Sequence, residues 1–484
     1  MSKMETIRRS FSAKCVVGLV MLVVVLASPA LAASYEGGEY EADRILSLPG
    51  QPTVDFDMYA GYITVNERAG RAHFYYFVEA EEDPENKPLV FWFNGGPGCS
   101  SMAYGFAEEI GPFFINPGGK TLRRNPHAAN KAANVLFVES PAGVGFSYTN
   151  TSSDLVTSGD NRTAIDNFTF VRNWFKRFPH YKGRPFFLTG ESYAGYYVPQ
   201  LARLIHRHNK VLPSDEKINF KGFMVGNPVI DAYNDNWGYI DFLYHHAMIS
   251  DVTYSKMKEV CNFTHDSVQL SHDCIQLMYY EADNEYGIID PYSIYAPACV
   301  QDSSTDTKRP VRKRRLFNPV LGHVRRQEYD PCTYDYAVFY FNRPDVQMAM
   351  HANVSGHISY PWGGCSDPLF TNWQDSAASV LPIYEELLEA GLRLWVFSGD
   401  ADSIVPVTGS RYGLASLKLP TVVPWYSWYH HQQVGGREIV YKGNLTLVTV
   451  RGAGHEVPLL KPAEWLQVFE SFLGGSLLPN ESYL

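Results

Sequence analysis

Gly190-Glu191-Ser192-Tyr193-Ala194-Gly195 lies between two stretches of opposite character. Before it, Pro185–Thr189 is apolar and reads as a buried strand; after it, Tyr196–His208 carries a helical pattern. A serine at a sharp strand-to-helix turn presents its hydroxyl above the sheet. The turn accepts only small neighbours, because the backbone there crowds adjacent strands. Gly190, Ala194 and Gly195 meet that demand, although the usual last glycine of G-x-S-x-G is Ala194 here. A tight turn without chemistry would use the same residues, so the flanking segments must decide between the two.

Upstream, Asn94-Gly95-Gly96-Pro97-Gly98-Cys99-Ser100-Ser101 follows the strand-like run Leu89–Phe93. A glycine-rich loop after an early strand can supply one backbone N–H of an oxyanion hole, here Gly96, with Tyr193 after the serine supplying the other. A phosphate loop is the rival reading, but the Gly-Lys-Ser/Thr ending is missing. Downstream, Ser398-Gly399-Asp400-Ala401-Asp402 follows the run Leu394–Phe397, and Gly452-Ala453-Gly454-His455 follows Leu445–Val450. Serine needs a base to take its proton, and the imidazole needs a carboxylate to fix its tautomer. The order Ser192, Asp402, His455, each after a strand, is that of the α/β-hydrolase fold.

The remaining runs agree. Tyr62–Val65 and Ala72–Val78, joined through Asn66–Gly70, read as a hairpin at one sheet edge, and Val135–Val138 and Phe223–Val225 read as further strands. Asp160–Phe178 places Ile165, Phe168, Val171, Phe175 and Phe178 on one helical face and stops at Pro179. Asn342-Arg343-Pro344 and Lys461-Pro462 read as helix starts, the second helix ending at Gly474-Gly475. The fold class is therefore α/β: a central, mostly parallel mixed sheet with helices on both faces and an inserted cap region. The core spans 33–226 and 331–484, and the cap spans 227–330. The cap is loop-rich and holds three cysteines. It also carries the basic run Lys308, Arg309, Arg312, Lys313, Arg314, Arg315, Arg325 and Arg326, within a linker at about 301–326. That run is either a solvated loop or a linker that endoproteases excise, leaving two chains tied by disulfides.

Residues 1–32 read as a secretory signal peptide: Lys3, Arg8, Arg9 and Lys14, then the apolar run Cys15–Leu26, then Ala30-Leu31-Ala32. The alternative is a retained signal anchor, disfavoured by the short apolar run and Pro29. Export predicts a secreted (extracellular or cell-wall-space) or vacuolar protein, with no membrane association once the leader is removed. Without Cys15, six of the seven cysteines remain: Cys99, Cys261, Cys274, Cys299, Cys332 and Cys365. An even count in an exported chain suggests three disulfides, with spacing alone leaving the pairing open. Asn150, Asn161, Asn167, Asn262, Asn353, Asn444 and Asn480 head glycosylation sequons. The 45% hydrophobic content over 484 residues gives ample core material, and a net charge of −10 argues against a nucleic-acid partner. No metal-site spacing and no cofactor motif is found, so none is expected.

The segments Asn94–Ser101, Gly190–Gly195, Ser398–Pro406 and Gly452–Pro458 resemble the four signatures of serine carboxypeptidases, most closely the plant carboxypeptidase D type, from about Asp43 to the last helix. The resemblance implies removal of single residues from peptide or protein C-termini by an acyl-enzyme route, with Asp402 rather than Asp400 as triad acid. It implies that Asn94, Gly95, Glu109 and Glu191 hold the substrate carboxylate, with Glu109 chosen over Glu108. It maps the disulfides as Cys99–Cys365, Cys261–Cys274 and Cys299–Cys332, and leaves a homodimer, of two-chain subunits if the linker is cut, as an option. Two adjacent acids cannot both ionise cheaply, so tighter substrate binding is expected at acidic pH. Glu456, next to His455, is expected to border the leaving-residue pocket and favour Arg or Lys; an exposed, idle glutamate is the alternative. An acyltransferase of the same family, using sugar-ester donors, is the nearest rival. That branch tends to lose the Asn at 94 and the Glu at 191, both present here. A non-catalytic binding protein is the other alternative.

Overall fold

The computed structural model describes residues 38–482, apart from 215, 268, 300–328, 354, 355, 357 and 359. The leader at 1–32 and the basic linker at about 301–326 therefore lie outside the described residues.

Thirteen strands are formed among the described residues: β1 (Arg44–Ile45), β2 (Met58–Asn66), β3 (Arg71–Val78), β4 (Leu89–Phe93), β5 (Phe113–Ile115), β6 (Leu122–Arg124), β7 (Asn134–Val138), β8 (Phe186–Glu191), β9 (Phe220–Gly226), β10 (Arg393–Gly399), β11 (Thr421–His430), β12 (Gln433–Tyr441) and β13 (Leu445–Val450). Eleven make one sheet in the order β1-β2-β3-β7-β4-β8-β9-β10-β13-β12-β11; β5 and β6 pair separately. From β7 to β13 every neighbouring pair is parallel, and the flanking pairs are antiparallel. This is the mixed, mostly parallel sheet of an α/β-hydrolase.

The central strands are buried on both faces, as parallel strands covered by helices must be. In β4, Val90 and Trp92 join one core with Phe106 and Trp465, while Leu89, Phe91 and Phe93 join the other with Trp174 and Leu201. Helices Asp160–Arg177 and Ala194–Val211 cover the second face; helix Pro462–Gly474 covers the first. Between β9 and the linker, Ile240, Phe242, Met257 and Phe263 form a smaller core around the Cys261–Cys274 bridge. Cys99–Cys365 and Cys299–Cys332 are the other two disulfides, the pairing that the resemblance implied.

Three expectations are corrected. Ile165 is 51% exposed, because helix Asp160–Arg177 buries a stripe that includes Thr163, Asn167, Val171 and Trp174. A hydrophobicity count places the two polar members of that stripe outside. Asn167 is consequently 0% exposed and its Oδ1 accepts from Ser140 Oγ at 2.7 Å, so the folded chain has no room for a glycan there. Asn150, Asn161, Asn262, Asn444 and Asn480 are exposed, and Asn353 is half-buried. Finally, the β2–β3 hairpin is not outermost, since β1 caps that edge, and the opposite edge is a hairpin, β11–β12, that the strand assignments above do not include.

Candidate active site

Four successive strands each release one polar residue at their C-terminal ends: Ser192 after β8, Asn227 after β9, Asp402 after β10 and His455 after β13. Open α/β sheets build their sites there. Ser192 has φ +63°, a left-handed conformation that a non-glycine residue adopts only when its surroundings impose it. Here they do: Ser192 N–H donates to the Gly226 carbonyl at 2.9 Å, and the Ser192 carbonyl accepts from Gly195 at 2.9 Å and Val229 at 3.1 Å.

His455 Nδ1 lies 2.7 Å from Asp402 Oδ2, with Asp402 0% and His455 2% exposed. Asp402 also accepts from Asn227 Nδ2 at 2.8 Å and from the backbone N–H of Ile404 at 2.7 Å. Both carboxylate oxygens are thus occupied, which fixes the Nδ1–H tautomer and leaves Nε2 as the basic nitrogen. Asn227 does not stand out in the sequence; an Asn-Pro pair after a strand reads as a turn. Its Oδ1 accepts from Gly399 N–H at 3.0 Å, so it clamps the β10 exit as well. Asp400 instead accepts from Gly452 N–H at 2.7 Å. His455 N–H donates to the Tyr292 carbonyl at 2.6 Å, and the Tyr292 ring stands edge-on to the imidazole. A Cβ on Gly454 would meet that carbonyl at 2.0 Å. Among the described residues Ser192 Oγ makes no hydrogen bond to His455; the triad is brought to one edge with its acid–base half closed.

The loop after β4 approaches the serine turn so closely that a Cβ on Gly95 would meet Tyr193 N at 2.3 Å. Neither Gly96 N–H nor Tyr193 N–H has an acceptor among the described residues. Two adjacent amides beside a serine, free to donate, are what an oxyanion needs.

Asn94, 4% exposed, is held by Trp92 Nε1 and Gly105 N–H on its Oδ1 and gives Nδ2 to Glu109 Oε1 at 3.1 Å. Glu109 ends the π-helical turn Met102–Glu109. Burial, then the charge of Glu109, push the Glu191 carboxyl well above its ordinary range; Glu191 keeps its proton and donates it to Glu109. Glu109 is itself raised by burial and held back by its bonds from Glu191 and Asn94 and by the charge of His455. Glu108 turns away, into a cleft of about 200 Å³ that Glu456, Asp290 and Tyr292 also line. Burial and the neighbouring Glu109 push Glu108 up to about 8; burial and the surrounding acids raise Glu456 well above its ordinary value. Val229, Tyr239, Met278, Ile404 and Val405, with Asp235 and Asn236, line a second cleft of about 300 Å³.

The family model described as serine carboxypeptidase matches residues 49–475. Among similar proteins, serine carboxypeptidase-like 26 of Arabidopsis thaliana is 54% identical, over 92% of this chain and 96% of its own length. Serine carboxypeptidase 24 of the same plant is 53% identical, over 96% and 98%. Among solved structures, a prohormone-processing carboxypeptidase of Saccharomyces cerevisiae shares the fold with a TM-score of 0.75 at 22% identity, covering 90% of this chain and 96% of that one.

Proposed function

The chain belongs to the serine carboxypeptidase family, and we propose that Ser192, His455 and Asp402 carry its carboxypeptidase reaction on peptides bound by their free C-terminal carboxylate. In this reading Ser192 Oγ attacks the last peptide carbonyl while His455 Nε2 takes its proton, and Asp402 holds the resulting imidazolium. The negative charge on the former carbonyl oxygen settles on Gly96 and Tyr193 N–H. Collapse breaks the C–N bond, His455 returns the proton to the leaving amine, and water then releases the acyl group from Ser192 by the same steps in reverse roles. The substrate carboxylate accepts from Asn94 Nδ2, Gly95 N–H and Glu191, whose proton turns from Glu109 to the incoming carboxylate.

The observation that carries the reading is the buried Glu109–Glu191 pair, with Glu109 tied to Asn94, beside an Asp402-held histidine. A dead-end pocket for an anion explains why one residue is released at a time. The same pair supports hydrolysis over sugar-ester acyl transfer. The departing side chain occupies the cleft of Glu108, Asp290 and Glu456; an entering Arg or Lys cation lowers these raised carboxyls until they ionise against it, which supports a preference for Arg or Lys, while the retained residue's side chain lies in the cleft beside Val229. Raised carboxyls throughout the site favour work at acidic pH, and three disulfides fit an exported destination, extracellular or vacuolar.

Release of the terminal residue from blocked dipeptides ending in Arg, Lys, Leu or Phe, at acidic pH, tests this. Turnover is expected on the panel, best on Arg and Lys, and lost in Ser192→Ala. Turnover that survives Ser192→Ala, or that occurs only on a glucose ester, would overturn it.

A further inference from the structure

Asp160 takes no part in the chemistry above, yet it is 3% exposed and its carboxylate gathers four donors. Oδ1 accepts from the Tyr193 hydroxyl at 2.9 Å and from Trp373 Nε1 at 3.0 Å. Oδ2 accepts from Gln200 Nε2 at 2.9 Å and from Ala377 N–H at 3.3 Å. A carboxylate taken out of water must find donors, and the groups that satisfy it become fixed in turn.

One of those groups sits at the reacting centre. Tyr193 follows Ser192, and its N–H is one of the two free amides there. Its hydroxyl also lies 2.6 Å from Ser376 Oγ, and its ring stands edge-on to Trp373 and Tyr197. Tyr197 in turn accepts from Gly98 N–H at 3.3 Å, so the aromatic cluster reaches the loop that carries Gly96. Both sides of the amide pair are therefore braced, one by Asp160 through Tyr193 and the other by Tyr197, which packs on the same ring.

From this geometry we propose that Asp160 is a positioning residue: by holding the Tyr193 hydroxyl it sets the aim of the Tyr193 N–H at the charge formed during attack. The proposal rests on the acyl-enzyme reading above. An amide aimed at that charge acts on the transition state more than on the bound substrate, so its loss belongs in kcat and leaves KM in place.

The test uses the full chain carrying Tyr193→Phe, Asp160→Asn and both together, with Ser192→Ala as control. Tyr193→Phe keeps the ring and is expected to melt like the parent while kcat falls about ten-fold, a partial loss of what an oxyanion donor supplies, at unchanged KM. A peptide aldehyde, which forms a tetrahedral adduct on Ser192, should lose affinity by the same factor, whereas a product-like peptide should not. Asp160→Asn added to Tyr193→Phe should cost no further kcat. The proposal is overturned if the loss appears in KM, if aldehyde and product affinities fall together, or if the two substitutions multiply independently. Turnover in Ser192→Ala would instead defeat the acyl-enzyme reading itself.

Discussion

Glu191 and Glu109 are both buried, and in the proposed reading their protonation decides what kind of ligand the pair accepts. In that reading Glu191, raised by burial and by the charge of Glu109, donates to the substrate carboxylate while protonated; once it ionises, the pair repels that carboxylate. KM for a blocked dipeptide should therefore rise about ten-fold from pH 5 to pH 8, roughly what losing one hydrogen bond to a charged group costs. An ester without a free carboxylate should keep its KM across the same range; equal dependence for both substrates would count against the pair. At this scale the sequence is readable where the chemistry forces a residue type after a strand: Ser192, Asp402 and His455 stand out by order alone. Asn227 does not, since nothing in Asn-Pro distinguishes a clamp on a carboxylate from a turn. Nor can spacing separate Glu109 from Glu108. Neighbours on one helical turn point apart, and only the folded turn shows which of them meets Asn94.

Among the elements, strands bounded by the site motifs are legible because a fully buried parallel strand is a continuous apolar run. The β11–β12 hairpin is not. Its outer strand contains Pro424, a breaker tolerated there because β11 is a sheet edge, and its turn is His431-Gln432, without the usual Asn-Gly or Asp-Gly pair. Helix Asp160–Arg177 lies where its apolar spacing puts it but is rotated about its axis, because Thr163 and Asn167 occupy the buried stripe. The Gly452–His455 turn yields a prediction of its own. A methyl at 454 has no space beneath the Tyr292 carbonyl, so Gly454→Ala should destabilise the fold by about 1–3 kcal/mol, as overpacking does. Because the displaced backbone carries the base, kcat should fall as well. Thermal melting and steady-state kinetics on the same preparation would check this; an unchanged kcat would mean that the turn absorbs the methyl elsewhere.

For the whole molecule, buried acids set the pH at which the fold is strongest. Burial pushes Glu108 up to about 8 and Glu139, Asp235 and Glu281 up to about 7. Between the ordinary carboxyl range and those values, the folded chain binds more protons than the unfolded one, so stability falls as pH rises through that window. The melting temperature should be higher at pH 5 than at pH 8, by calorimetry at fixed ionic strength; the reverse order would mean that these carboxyls ionise freely in the native state. Alternating strands and helices announce the mostly parallel sheet, but not its order. That β7 lies between β3 and β4 depends on contacts among distant segments, which no local pattern encodes.

The backbone bond from His455 to Tyr292 links the base to a segment that enters the chain between β9 and the linker. The sheet holds Ser192, Asp402 and the imidazole that Asp402 accepts from, but the His455 backbone is steadied from outside it as well. A molecule whose strands are intact while that segment has come loose would look native by circular dichroism and be silent in an assay. Activity in this protein is therefore a gauge of docking, sampled one histidine at a time.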